Sequence, residues 1–283
     1  MKSKLAKHIL MLLTAGVLVN GCGEENKEVR LALKFSPDKI YHFAYENKSS
    51  AVARENGRFL YSNDITNKVR YTQEVVESID STRARIHYTY TSIKENVLKE
   101  DSTRIDTTEE TWSTDYVTAS NGKIVEVLPL GDVSQESIDY FTKLFEQTSP
   151  MFPEEPVPVG YTWSHTVKVM LDEGATDAST TYKVKSLVRE AGYDCAVIEY
   201  TGNMLVPYRQ KCDESGTGYI TGSDRIEADG VVYFAYTEGI IIKEYENSTL
   251  LREGTLIRDE KKVSFTVDSK TSYTCRLTEI EPK

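Results

Sequence analysis

Residues 84–90 read Ala-Arg-Ile-His-Tyr-Thr-Tyr. In an extended chain successive side chains point to opposite faces, so Ile86, Tyr88 and Tyr90 share one face and Arg85, His87 and Thr89 the other. Such period-two alternation, rich in aromatic and β-branched residues, is the pattern of a half-buried antiparallel strand. Upstream, Asp80-Ser81-Thr82 supplies a turn between strands expected at Tyr71–Ile79 and Arg83–Ile93. The same alternation in 40–45 puts Tyr41, Phe43 and Tyr45 on one face. Downstream, Asn121-Gly122 stands between Tyr116–Ala119 and Ile124–Val127 as a strong hairpin signal.

One segment departs from period two. Asp132 and Gln135 fit a capping box, and Ile138, Phe141, Leu144 and Phe145 fall on one face of a helix expected to end before Pro150. Pro150, Pro153, Pro156 and Pro158 then make an extended connector. After it the first pattern returns. Tyr71 through Thr89 echoes Tyr182 through Thr201, Asp115 through Val127 echoes Asp229 through Glu244, and the opening at Tyr41 echoes that at Tyr161. Val263–Val267 and Tyr273–Leu277 read as a last pair of strands. The fold class is mainly β: antiparallel curved sheets or half-barrels, a duplicated β-meander with one central α-helix. The organisation is a leader over 1–21, a tether over 22–36, a first meander over 37–128, helix and Pro-rich connector over 129–158, and a second meander over 159–283.

The leader has a basic start, Lys2, Lys4 and Lys7, then an apolar run from Ile9 to Val19, too short to span a bilayer as a stable helix. Val19-Asn20-Gly21-Cys22 resembles a bacterial lipobox, with Asn20 a departure at a position usually small. The resemblance implies cleavage before Cys22 and lipidation of its thiol, each buried CH₂ adding about 0.8 kcal/mol of membrane affinity. Gly23-Glu24-Glu25 lacks an inner-membrane retention signal. The expected location is the bacterial outer membrane, on its periplasmic or surface-facing side.

The chain of 283 residues has net charge −10, and losing the three leader lysines makes it more negative. Such a surface repels phosphate backbones and anionic headgroups, so no nucleic-acid partner is expected and attachment falls to the lipid. Beyond Cys22 the cysteines are Cys195, Cys212 and Cys275, with no C-x-x-C spacing. An exported protein permits a disulfide. Cys195 with Cys212 closes the shortest loop, and spacing leaves all three pairings, or none, open.

No cofactor or metal motif is present. His42, His87 and His165 each lie on an expected strand without a second ligand at metal spacing, and His87 is expected to be solvated. Glu109-Glu110 and Glu154-Glu155 are adjacent pairs, which on strands point apart. Gly216 to Gly222 reads as a glycine-rich turn without the register of a phosphate cradle. Asp80-Ser81-Thr82, Asp101-Ser102-Thr103 and Asp106-Thr107-Thr108 resemble acceptor sites of a bacterial O-glycosylation system, implying Ser81, Ser102 and Thr107 as acceptors in polar turns.

Leu31-x-Leu33-x-Phe35-x-Pro37, Pro153-x-x-Pro156-Val157-x-Val159-Gly160-x-x-Trp163, Gly192-Tyr-Asp-Cys195 and Glu238-Gly239 resemble, with the lipobox, a family of exported bacterial lipoproteins without an assigned activity. The resemblance implies a β-rich exported domain. At fold level a curved sheet with a helix on it is similar to lipoprotein-carrier and lipid-binding lipoprotein folds. The expected function is therefore a lipid-anchored, non-enzymatic binding protein for an apolar ligand or acyl chain. The alternatives are a structural, partner-binding lipoprotein and an envelope hydrolase, the last calling for a carboxylate–histidine cluster in a concave pocket.

Overall fold

The structure is a computed structural model that describes residues 27–100, 102–129, 151–171, 174–211, 219–258 and 261–283. The helix expected over 132–149, Cys22 and Cys212 lie outside the described residues, among which no helix occurs. The strands are β1 (Glu28–Val29), β2 (Lys39–Glu55), β3 (Arg58–Ser78), β4 (Arg83–Lys99), β5 (Thr103–Ala119), β6 (Ile124–Pro129), β7 (Val157–Pro158), β8 (Thr162–Leu171), β9 (Gly174–Glu190), β10 (Tyr193–Lys211), β11 (Tyr219–Ala235), β12 (Ile240–Arg258) and β13 (Lys261–Pro282). Eleven form one antiparallel sheet in the order β6-β5-β4-β3-β2-β13-β12-β11-β10-β9-β8. The two expected meanders are thus halves of a single sheet, joined where β13 pairs with β2.

The turns at 79–82 and 120–123 fall where the sequence places them. The strands, however, run well past the expected segments. The last pair is one strand, because Asp268 to Lys270 stays paired with both β2 and β12. Polar residues without a Gly or Pro do not break a strand whose backbone is bonded on both sides. Tyr219 to Gly222, expected within a glycine-rich turn, likewise belongs to β11, and Gly222 faces Gly254.

The long strands divide into two halves. At one end three apolar clusters gather, built on Ile198 and Phe234, on Phe43 and Ile242, and on Ile86 and Tyr116. The described part of the expected tether, 27–36, is docked there. Leu31 is 1% exposed, β1 pairs with β7, and the strap donates from Leu33 N to Ser120 O (2.6 Å) and from Lys34 N to Gly239 O (3.1 Å). Those acceptors belong to the β5–β6 and β11–β12 turns, five strand spacings or about 24 Å apart on a flat sheet. Neighbouring residues can bond both only if the sheet curls into a trough. Gly239, at φ +70°, admits the strap: a Cβ there would meet Lys34 N at 2.5 Å and Ala32 O at 2.7 Å. Phe152 closes the same end, bonding Asn121 O and packing on Phe234 at 4.6 Å between ring centroids. Leu31, Leu33, Val157, Val159, Trp163 and Gly239, from the described motifs of the lipoprotein resemblance, gather at this end as strap, turns and core.

Cys195 lies near the start of β10 and is a buried free thiol. Cys212, its expected disulfide partner, lies outside the described residues.

Candidate ligand cleft

The concave face of the trough encloses a cleft of about 820 Å³. Its walls follow from strand alternation. Tyr41, Phe43, Tyr45 and Asn47 point inward from β2, Tyr71 and Gln73 from β3, Tyr88 and Tyr90 from β4, and Trp112 and Tyr116 from β5. The rings touch in series. Trp112 lies 5.5 Å from Tyr88, Tyr88 5.2 Å from Tyr71, and Tyr71 stacks on Phe43 at 4.8 Å and 10°. Tyr45 then meets Tyr273 of β13 at 5.3 Å. On the far wall Trp163 stacks on Tyr182 at 5.2 Å and 14°, and Tyr182 meets Tyr200 at 5.8 Å.

Between the two aromatic runs, β12 contributes Glu244 and Glu246. One cross-strand row reads Tyr182, Tyr200, Gly230, Glu246, Tyr273, Asn47. Gly230 makes this row work. A Cβ there would sit 2.3 Å from the Tyr200 ring, so only glycine lets the ring lie across β11. The Tyr200 hydroxyl thereby reaches Glu246 Oε2 at 2.8 Å and Glu244 Oε1 at 3.1 Å. One hydroxyl proton cannot serve both acceptors at once, so a second proton on the pair is favoured. Burial first, then the neighbouring Glu246, pushes the Glu244 carboxyl up to about 7, against the opposing hydrogen bond from Tyr200. Burial also raises Glu246. Glu244 is deeply surrounded, yet its surface opens on the cleft.

Cys275 lies beside Glu244 across the strand pair, its Sγ 3.3 Å from the Tyr71 hydroxyl, and burial raises its thiol. Burial also pushes Cys195 up to about 11, which leaves it a protonated packing residue.

The sequence-chosen candidates lie elsewhere. His42, His87 and His165 stand on β2, β4 and β8, and none lines the cleft. His42 meets Glu281 at 3.0 Å. His87, expected solvated, is half-buried and paired through Nδ1 with Asp115 Oδ1 at 2.7 Å on the convex face. Among the described residues no three of His, Cys, Asp and Glu converge as a metal would require. Glu109 and Glu110 point to opposite faces of β5. Ser81 is exposed in the β3–β4 turn, where Thr82 and Arg83 donate to Asp80 and lower its carboxyl to about 2. Ser102 is exposed at the β4–β5 turn. Thr107, expected in a turn, lies within β5 opposite Glu95, because the run of Thr and charged residues around it keeps pairing with β4.

The carboxyl pair was the residue set that sequence reading missed. Its signal is the alternation in Ile242-Lys-Glu-Tyr-Glu246, which puts both glutamates on one face while Lys243 and Tyr245 take the other.

The convex face is mostly polar, with ion pairs such as Arg54–Asp268 and Lys185–Glu199, and carries isolated exposed apolar residues such as Ile93, Ile105 and Leu205. The open half of the second meander carries apolar Met204, Ile226 and Leu250 on its concave side, beside Asp224. That carboxylate, 7% exposed, accepts from Arg252 at 2.7 and 2.6 Å.

No family model matches the chain, and no curated protein matches it. Among solved structures it is similar to lipovitellin, in a structure described as lipid–protein interactions in that protein, at TM-score 0.51 and 11% identity over 88% of this chain and 26% of that chain. The chain thus spans about a quarter of lipovitellin's length. At that identity the likeness concerns the fold alone. Pseudomonas aeruginosa OccK7 (OpdD) matches at TM-score 0.23 and 7% identity, over 86% of this chain and 99% of that one. The β domain of the Bordetella autotransporter BrkA matches at 0.25 and 7%, over 84% and 100%. Scores that low carry no argument. The finding from comparison is a shared curved antiparallel sheet with part of lipovitellin.

Proposed function

We propose that this protein is a lipid-anchored component of the bacterial outer membrane whose cleft holds an apolar molecule or acyl chain without chemically changing it. The observation that carries the reading is the pair of aromatic runs lining a cleft of about 820 Å³ beneath a mostly polar convex face. That volume lies in the range of small-molecule sites, about 300–1,000 Å³, which are mostly apolar with few placed polar groups. Tyrosine suits such a wall, since its ring covers apolar surface and its hydroxyl bonds a neighbour. The polarity is the reverse of a membrane barrel, whose outer band is apolar. The shared sheet with lipovitellin, a protein described through its lipid interactions, agrees with this reading. The lipobox ending in Cys22 supports anchoring, and no step of the proposal needs catalysis.

The test has two arms. Uptake of a fluorescent apolar probe by purified full-length protein is expected to be displaced by long-chain amphiphiles and weakened by Tyr71→Ala. Failure of the wild type to take up any such probe overturns the binding role. Metabolic labelling with an alkyne palmitate is expected to mark the wild type and spare Cys22→Ala, and equal labelling of both overturns anchoring at Cys22.

A partner-binding role draws on a different observation. Among the described residues β6 covers only Thr114 to Thr118 of β5, and none of them pairs with the outer edge of Thr103 to Ser113. Open edges accept added strands. Site-specific photocrosslinking from Thr107 in intact cells is expected to capture an envelope protein under this reading, and self-contacts alone contradict it.

A further inference from the structure

The charge of the cleft wall goes beyond an apolar cavity. Among the described residues lining it, those with ionisable carboxylates or cationic side chains are Lys34, Glu244 and Glu246. Lys34 is occupied at the closed end, donating to Thr237 O. Among the described residues, the middle of the cleft therefore offers an anionic headgroup no positive partner. It offers a cation two carboxyls set among π-faces: Tyr200 bonded to both, Tyr182 next to Tyr200, and Tyr273 opposite Glu246 across the strand pair. One hydroxyl proton shared by two ionised carboxyls leaves negative charge on the remaining oxygens, which a cation balances whether or not it carries an N–H. Aromatic faces and carboxylates together form the surroundings that attract ammonium groups, and the attraction grows where water is excluded.

Resting on the apolar-cleft reading, we propose that the ligand is a cationic amphiphile: an amine or quaternary ammonium head beside Glu244 and Glu246, with a hydrocarbon tail along the aromatic wall of Tyr45, Tyr71 and Tyr88. Gly230 is then a specificity device, since it is what allows Tyr200 to span β11 and hold the two carboxyls together. The charge of the pair couples binding to pH. A cation is held most tightly when both carboxyls are ionised, and loses affinity as acid protonates them.

The experiment compares chain-matched probes on the wild-type full-length protein by displacement of a fluorescent apolar reporter: dodecyltrimethylammonium, dodecanol and dodecanoate, in the neutral to alkaline range and then in mild acid. The ammonium compound is expected to bind about tenfold or more tightly than dodecanoate above neutrality, the advantage shrinking in acid while dodecanol stays constant. Glu244→Gln with Glu246→Gln is expected to bring the ammonium compound down to the affinity of dodecanol, with a native circular dichroism spectrum as the check on folding. Equal affinity for all three, or preference for dodecanoate, overturns the headgroup assignment and leaves the apolar cleft standing. Binding of none of them overturns both.

Discussion

The two walls of the cleft are built from strands in matching positions, yet they do different things. In the first meander Tyr88 faces Thr114, and Thr114 faces Pro129. In the second, Tyr200 faces Gly230, and Gly230 faces Glu246. One step along, Ile86, Tyr116 and Val127 correspond to Ile198, Val232 and Glu244. The first wall therefore keeps its tyrosine upright among other rings and has apolar residues on the third strand. The second lays its tyrosine flat over a glycine and brings it to two carboxyls. A glycine on the second strand together with two glutamates on the third separates the polar site from the apolar wall.

The largest effect is expected from making the second wall like the first. Gly230→Thr forces the Tyr200 ring aside and strips the carboxyls of their donor. Overpacking together with the lost bonds is expected to cost about 3–5 kcal/mol, read by chemical denaturation. A loss under about 1 kcal/mol would show that Tyr200 has room elsewhere and that the glycine is incidental.

Next comes pH. Glu244 titrates at about 7 in the folded protein and near 4.5 in the open chain. The folded state thus holds the proton more tightly. The cost of the buried charge is full above the folded value and is relieved as pH falls towards the unfolded one. Moving from alkaline to mildly acidic solution is expected to add about 2 kcal/mol of stability from this group. Glu244→Gln is expected to remove that share of the dependence. A variant that keeps it in full assigns the titration to another residue.

The smallest effect belongs to the reciprocal change. Thr114→Gly removes a hydroxyl that donates to Leu128 O and loosens a strand, at about 0.5–1 kcal/mol. It is not expected to create a second polar site, because Val127 and Pro129 offer Tyr88 no acceptor side chain. A new titrating group near neutrality in this variant would break the correspondence between the walls.

Strand alternation made the aromatic faces legible in advance: the inward sets Tyr41-Phe43-Tyr45 and Ile86-Tyr88-Tyr90 are the ones seen, and the turns at Asp80 and Asn121 stand as read. The extent of the strands was not legible, because nothing local in Asp268 to Lys270 records that partners wait on both sides. Nor was the docking of Leu31 and Leu33, which depends on turns distant in sequence. The carboxyl site was hidden for a related reason. Glu244 and Glu246 resemble any solvated pair until β11 supplies Gly230 and β10 supplies Tyr200, and such cross-strand meetings are set by register. Histidines drew notice by residue type, whereas the cleft is made by tyrosines whose ordinary role is packing.

Diffraction from crystals grown with bromododecanol most directly tests the claim that the concave face houses a hydrocarbon chain. The anomalous bromine signal is expected inside the trough, against Tyr71, Tyr88 or Tyr182. Bromine found only on the convex face, or nowhere on the protein at a concentration that saturates the fluorescent reporter, would contradict the account.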